Sequence, residues 1–146
     1  MSTDANKALI RRFYEEVWDR GNTGFAYEVF ADDYVRHDLR TTAALPGPEG
    51  QKKIADEFRT AFPDLRVTVD LIVGGDDYVV GRWTATGTHL GQWGGLAPTG
   101  RTATFSAANI FRFDNGKVVE IWNHRDDFGL FEQIGSPIHA GSAPDA

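Results

Sequence analysis

The chain has 146 residues, 41% hydrophobic and 25% charged, with 10 Phe and 4 Trp, enough for one domain with a sizeable core. A net charge of -6 without a Lys/Arg block argues against nucleic acid and against an anionic membrane surface. There is no cysteine for a disulfide or thiol nucleophile, no signal-peptide layout in M-S-T-D-A-N-K, and no apolar run of membrane-spanning length, so a cytoplasmic domain is expected.

In chain order, Leu9, Ile10, Phe13, Tyr14, Val17 and Trp18 recur at three-to-four spacing and predict a helix over 5–20. Gly21-Asn22 ends it. A short helix is expected over 24–31, with Phe25, Val29 and Phe30 inward, then an extended segment over 34–38. Residues 39–47 read as a loop, and Pro48 with Glu49 opens a helix over about 48–62 that presents Ile54, Phe58, Ala61 and Phe62. Pro63-Asp64 terminates it.

The period then changes to two. Leu65, Val67, Val69 and Leu71 alternate with polar residues as in a strand with one wet face. Further strands are expected over 78–89, 101–114 and 117–126, with turns at 74–77 and at Asn115-Gly116 and a Gly- and Pro-bearing loop over 90–100. A helix over 127–134 stops at Gly135. One domain over 1–135 is expected, followed by a mobile tail over 136–146. Helices grouped ahead of an antiparallel meander imply an α+β fold, a curved sheet with the helices on one face and a small-molecule site inside the cone.

Glu120, Trp122, His124 and Asp126 sit two apart, so an unbroken strand would put them on one surface, taken here as the pocket wall. Arg82 and Glu120 are expected to pair on neighbouring strands, while Trp83 and His89 take the opposite strand face from Arg82. The loop Gln92–Pro98, with Trp93 and Leu96, reads as a lid or as a subunit contact. A convex apolar sheet surface implies a homodimer, or a tetramer. No spacing suggests a metal site.

Several pieces in order carry a resemblance over residues 5–135. They are Y-V-R-H-D (34–38), P-G-P-E-G (46–50), A-F-P-D-L-R-V-T-V (61–69), G-R-W-T-A-T-G-T-H-L-G (81–91), P-T-G-R (98–101), F-S-A-A-N-I-F-R-F (105–113) and G-K-V-V-E-I-W (116–122), then Asp126 and Q-I-G (133–135). In this order the chain resembles the SnoaL-like polyketide cyclase family, with its nuclear-transport-factor-2-like cone. The resemblance implies a cofactor-independent, metal-free enzyme of antibiotic biosynthesis and other secondary metabolism. It implies aldol-type ring closure of an apolar polyketide or polycyclic intermediate. Related members look like hydroxylases, epoxide hydrolases or isomerases, and a non-catalytic small-molecule binder is the rival of a different class.

The family's acid/base Asp matches Asp126, and its polar residue nearer the N-terminus matches His37 or Asp38. Asp126 is therefore the expected general acid/base, with His124 and His37 as its catalytic partners. Asp is also a favoured helix N-cap, but Asp127 can cap equally well and leave Asp126 available. Substrate contacts are assigned to Trp122, Asn109, Arg82, Phe13, Trp18, Phe58 and Trp93. His89 is expected to be structural, near the Gly91 turn.

Overall fold

A computed structural model of the protein describes residues 2–38, 47–93 and 95–135. Residues 39–46 of the expected loop, Gly94 and the tail 136–146 lie outside the described residues. Helix α1 (Thr3–Phe13) starts where the Ser2 hydroxyl accepts the Ala5 N–H at 3.1 Å, and it runs on as a π-helical turn, Tyr14–Asp19. Ile10, Phe13, Tyr14, Val17 and Trp18 are all buried, so the sequence stripe is the packed face. A single 3₁₀ turn, Thr23–Phe25, leads into the short α2 (Ala26–Val29), followed by β1 (Phe30–Asp38) and α3 (Gly47–Ala61). Strands β2 (Arg66–Gly75), β3 (Tyr78–Thr88), β4 (Thr102–Asp114) and β5 (Lys117–Arg125) and the closing α4 (Asp127–Ile134) complete the fold.

The fold is α+β, as the grouping of helices before strands implied. Among the described residues, however, the sheet has five strands in the order β1-β5-β4-β3-β2. The expected four-strand meander is present, and the segment read as a short extended piece becomes a parallel edge strand beside β5, which makes the sheet mixed rather than antiparallel. The helices cover one face. Phe13 packs edge-on against Phe30 and Phe111, and Trp18 stacks on Trp83 at 5.9 Å. Asn115 and Gly116 both take positive φ, 54° and 75°, the mirror-image turn that an Asn-Gly hairpin selects.

His89 is structural, as expected. It is fully buried, and its Nδ1 accepts the Thr99 N–H at 3.2 Å while its ring lies against Phe62, so it ties down the loop between β3 and β4. Burial pushes its pKa down, and the folded protein keeps it neutral. As pH falls below about 6.5 the unfolded chain takes up the proton first. Its contribution to stability is therefore present above that value and lost below it. The drop in urea midpoint between pH 7.5 and pH 5 is expected to be smaller in His89→Asn than in the wild type.

Candidate active site

The site is built by an irregularity in β5. At the hairpin end Phe113 pairs with Val118, but the next pair is Arg112 with Glu120, so Val119 is an extra residue. Val118 points into the core, and simple alternation from it would send Glu120, Trp122 and His124 inward too. The bulge inverts the phase. Ile121, Asn123 and Arg125 point inward, while Glu120, Trp122 and His124 lie on the outer face. The even-numbered residues expected to face the interior thus face outward, and the odd-numbered set faces the helices.

The inversion lines up one cross-strand row. Asp38 of β1 is in register with Asn123 of β5, Asn123 with Asn109 of β4, and Asn109 with Gly81 of β3. All face the helices. Gly81 is required there because the phenol of Tyr14, from the π-helical turn, fills the space a side chain would take; an added Cβ would stand 2.6 Å from its Cε2.

Hydrogen bonds run along the row. The Tyr14 hydroxyl and the Trp83 indole N–H each donate to Asn109 Oδ1 at 3.0 Å. An indole N–H can only donate, so this fixes the Asn109 amide with its oxygen toward Trp83 and its nitrogen toward β5. That nitrogen donates to Asn123 Oδ1 at 2.7 Å, which in turn aims Asn123 Nδ2 at Asp38 Oδ2, 3.3 Å away. The chain of donors has a direction, and it ends on a carboxylate. Burial pushes the Tyr14 pKa far up, so the phenol stays protonated and keeps donating.

Charge gathers at the end of the row. Arg36 donates to Asp38 Oδ2 at 3.2 Å and to Gln51 of α3 at 3.2 Å, and its side chain is only 9% exposed. Burial lowers the Arg36 pKa, and Asp38 opposes the shift while Arg125 adds to it. Arg125, 8% exposed, forks onto Asp127 at 2.6 and 3.4 Å and lies over the Phe58 ring. Asp38 is more open, at 24%. The polar path thus runs from the buried Asn109 to a charged, partly open end where β1 and β5 finish.

The residues selected from sequence divide between the two faces. Asn109, Phe13, Trp18 and Phe58 lie inside, and Trp93 is buried against Phe58 and Phe131. His37, Trp122 and His124 are outside. His37 stacks on Trp122 at 5.1 Å and meets Glu120 at 2.7 Å. Glu120 also binds Arg112 at 2.9 Å, and these contacts, Arg112 foremost, hold its pKa below the usual carboxylate range. The expected Arg82–Glu120 pair does not form: Arg82, on β3 and two strands from β5, faces outward to Asp70 on β2. Asp126 is itself the N-cap of α4 and accepts the Gly129 N–H at 2.9 Å, while Asp127 is taken by Arg125. Sequence reasoning missed Tyr14, Arg36, Asn123 and Arg125 as site residues. A signal was available: Asn109 and Asn123 are amides at strand positions on the two arms of one hairpin.

The model of the SnoaL-like polyketide cyclase family matches residues 8–134. The chain is 29% identical over 134 residues to aklanonic acid methyl ester cyclase AcmA of Streptomyces galilaeus, across 89% of this chain and 90% of that one. Among solved structures it matches AclR, a proposed hydroxylase of Streptomyces galilaeus, with a TM-score of 0.80 and 28% identity over 92% of this chain and 98% of that one. It also matches IdmH, a proposed polyketide cyclase of Streptomyces antibioticus, with a TM-score of 0.75 and 31% identity over 89% and 98% of the two chains.

Proposed function

The chain belongs to the SnoaL-like polyketide cyclase family, and on that premise we propose that it closes a ring of an apolar, carbonyl-bearing polyketide by an intramolecular aldol step, with Asp38 as general acid/base. It is an enzyme of the SnoaL type, and its similarity to a cyclase of aklanonic acid methyl ester supports an aromatic polyketide ester as the substrate class. The observation that carries Asp38 is the directed relay: two donors, Asn123 and Arg36, converge on its Oδ2 and hold the carboxyl in one orientation. Asp38 takes a proton from the carbon next to a carbonyl. The enolate carbon attacks a second carbonyl carbon of the same molecule, and the new alkoxide takes the proton back. Atoms balance within the substrate, so the step consumes no cofactor. Asp126, engaged as a cap, is assigned no proton transfer in this reading.

A second reading has its own support. A carboxylate held by an amide relay can also orient a water for epoxide opening or hydroxylation, and AclR is a proposed hydroxylase. Turnover of aklanonic acid methyl ester in ¹⁸O-water separates the two. The cyclase reading expects a product of unchanged mass with no label at the new hydroxyl. A labelled hydroxyl would replace it with the second reading.

We also propose that the outer sheet face joins two copies, in a cytoplasmic setting in keeping with a cysteine-free chain. Val73, Val80, Ile110, Trp122 and His37 form one row across all five strands. Leu71 and Val73 are about half exposed, as are Val35 and Tyr78. Light scattering is expected to give twice the chain mass of 16.2 kDa, and Trp122→Arg a monomer. A monomeric wild type would contradict this.

A further inference from the structure

Two buried side-chain polar atoms among the described residues have no hydrogen-bond partner, His89 Nε2 and the Tyr34 hydroxyl. Such atoms are uncommon, because an unmet buried donor has lost its bond to water and gained nothing in return. His89 lies in the structural contact with Thr99 and Phe62, at the loop between β3 and β4. Tyr34 lies elsewhere. It is on β1, on the inward face that also carries Arg36 and Asp38, and it is only 5% exposed. Its ring is held against Phe30 at 4.7 Å. The phenol is therefore fixed by packing, while its hydroxyl has no acceptor among the described residues.

We propose that the Tyr34 hydroxyl is a substrate contact, donating a hydrogen bond to a carbonyl oxygen of the molecule on which Asp38 acts. The inference rests on the proposed function and deepens it, since it names the oxygen-bearing group the site selects. Enolate formation moves negative charge onto that oxygen, so a donor placed there works harder in the transition state than in the ground state. The hydroxyl donates without giving up its proton. Burial holds its pKa up, and the nearby Arg36, which opposes that shift, adds positive charge on the same side. Tyr34 and Asp38, four residues apart on one strand face, thus supply an electrophilic donor and a base to one substrate.

The test uses Tyr34→Phe and two planar probes, 2-acetylnaphthalene and its oxygen-free isostere 2-isopropenylnaphthalene, titrated by calorimetry. The wild type is expected to bind the ketone about three- to tenfold more tightly than the variant does, with equal affinities for the alkene. The variant's urea midpoint should equal or exceed the wild type's, because no protein hydrogen bond is lost. Equal ketone affinities would overturn the assignment of Tyr34 and leave the proposed function standing. So would a clearly lower midpoint, which would show that the hydroxyl is bonded within the protein. A wild type that binds neither probe would overturn the polycyclic substrate class, and the inference with it.

Discussion

Asp38→Asn is expected to lower kcat on aklanonic acid methyl ester by about 10²–10⁴-fold, the usual worth of a positioned general acid/base. The amide has nearly the shape of the carboxyl and can still accept from Asn123 and Arg36, so the fold and substrate affinity should be kept, with some loss of stability because the buried Arg36 loses its counter-charge. What it cannot do is take up and return a proton. The control is Asp126→Asn. Asn caps a helix as well as Asp does, so the contact with Gly129 survives and turnover should stay near wild type. The two variants separate the assignments cleanly. If Asp126→Asn abolished turnover and Asp38→Asn did not, the acid/base would be the residue at the helix cap, and the relay would be a structural device only.

Asn109→Leu is expected to cost about 3–5 kcal/mol of stability and to lower the melting temperature by about 10 °C or more. The branched shape is kept while the methyl groups are bulkier, so lost hydrogen bonding is the main term and overpacking adds to it. Three buried groups lose their partner at once: the Tyr14 hydroxyl, the Trp83 indole N–H and the Asn123 carbonyl oxygen. Each faces an interior that offers little else to bond. Tyr14→Phe, which removes one donor and leaves the Asn109 oxygen with Trp83, should cost only about 1 kcal/mol. A thermal melt of both variants checks the pair. A loss below about 1 kcal/mol in Asn109→Leu would mean that the relay is not a cooperative unit. The Leu variant should also lose activity, because Asn123 is no longer aimed at Asp38.

The sequence made the helices and strands legible because their periods are strong. The 10-13-14-17-18 stripe can bury only one helical face, and β3 alternates cleanly from Val79 to His89. Trp83 and His89 were accordingly placed opposite Arg82, and so they lie. The bulge at Val119 was not legible. Its cost and its signal are local backbone pairing, and no residue at 118–120 marks it as a glycine would. Yet it decides the site. A regular hairpin through Asn115-Gly116 would pair Asn109 with Trp122; the extra residue pairs it with Asn123 instead. A one-residue shift moves a whole set of side chains to the other face, and with it went Trp122 and His124. The parallel pairing of β1 with β5 was equally hidden, since a nine-residue edge strand joined through a crossover leaves no turn signature. That pairing is what brings Asp38 against Asn123. His37 and Asp38 were both read as matches for one family position, and the strand's alternation sends His37 out to Trp122 and Asp38 in to the relay.

The central claim is that chemistry takes place on the inward face, at the end of the Asn109–Asn123–Asp38 row. A crystal structure of Asp38→Asn soaked with aklanonic acid methyl ester tests it most directly. Ligand density is expected between the sheet and the helices, with a carbon next to a carbonyl within reach of residue 38. Density on the outer face, against Trp122 and His124, would contradict it.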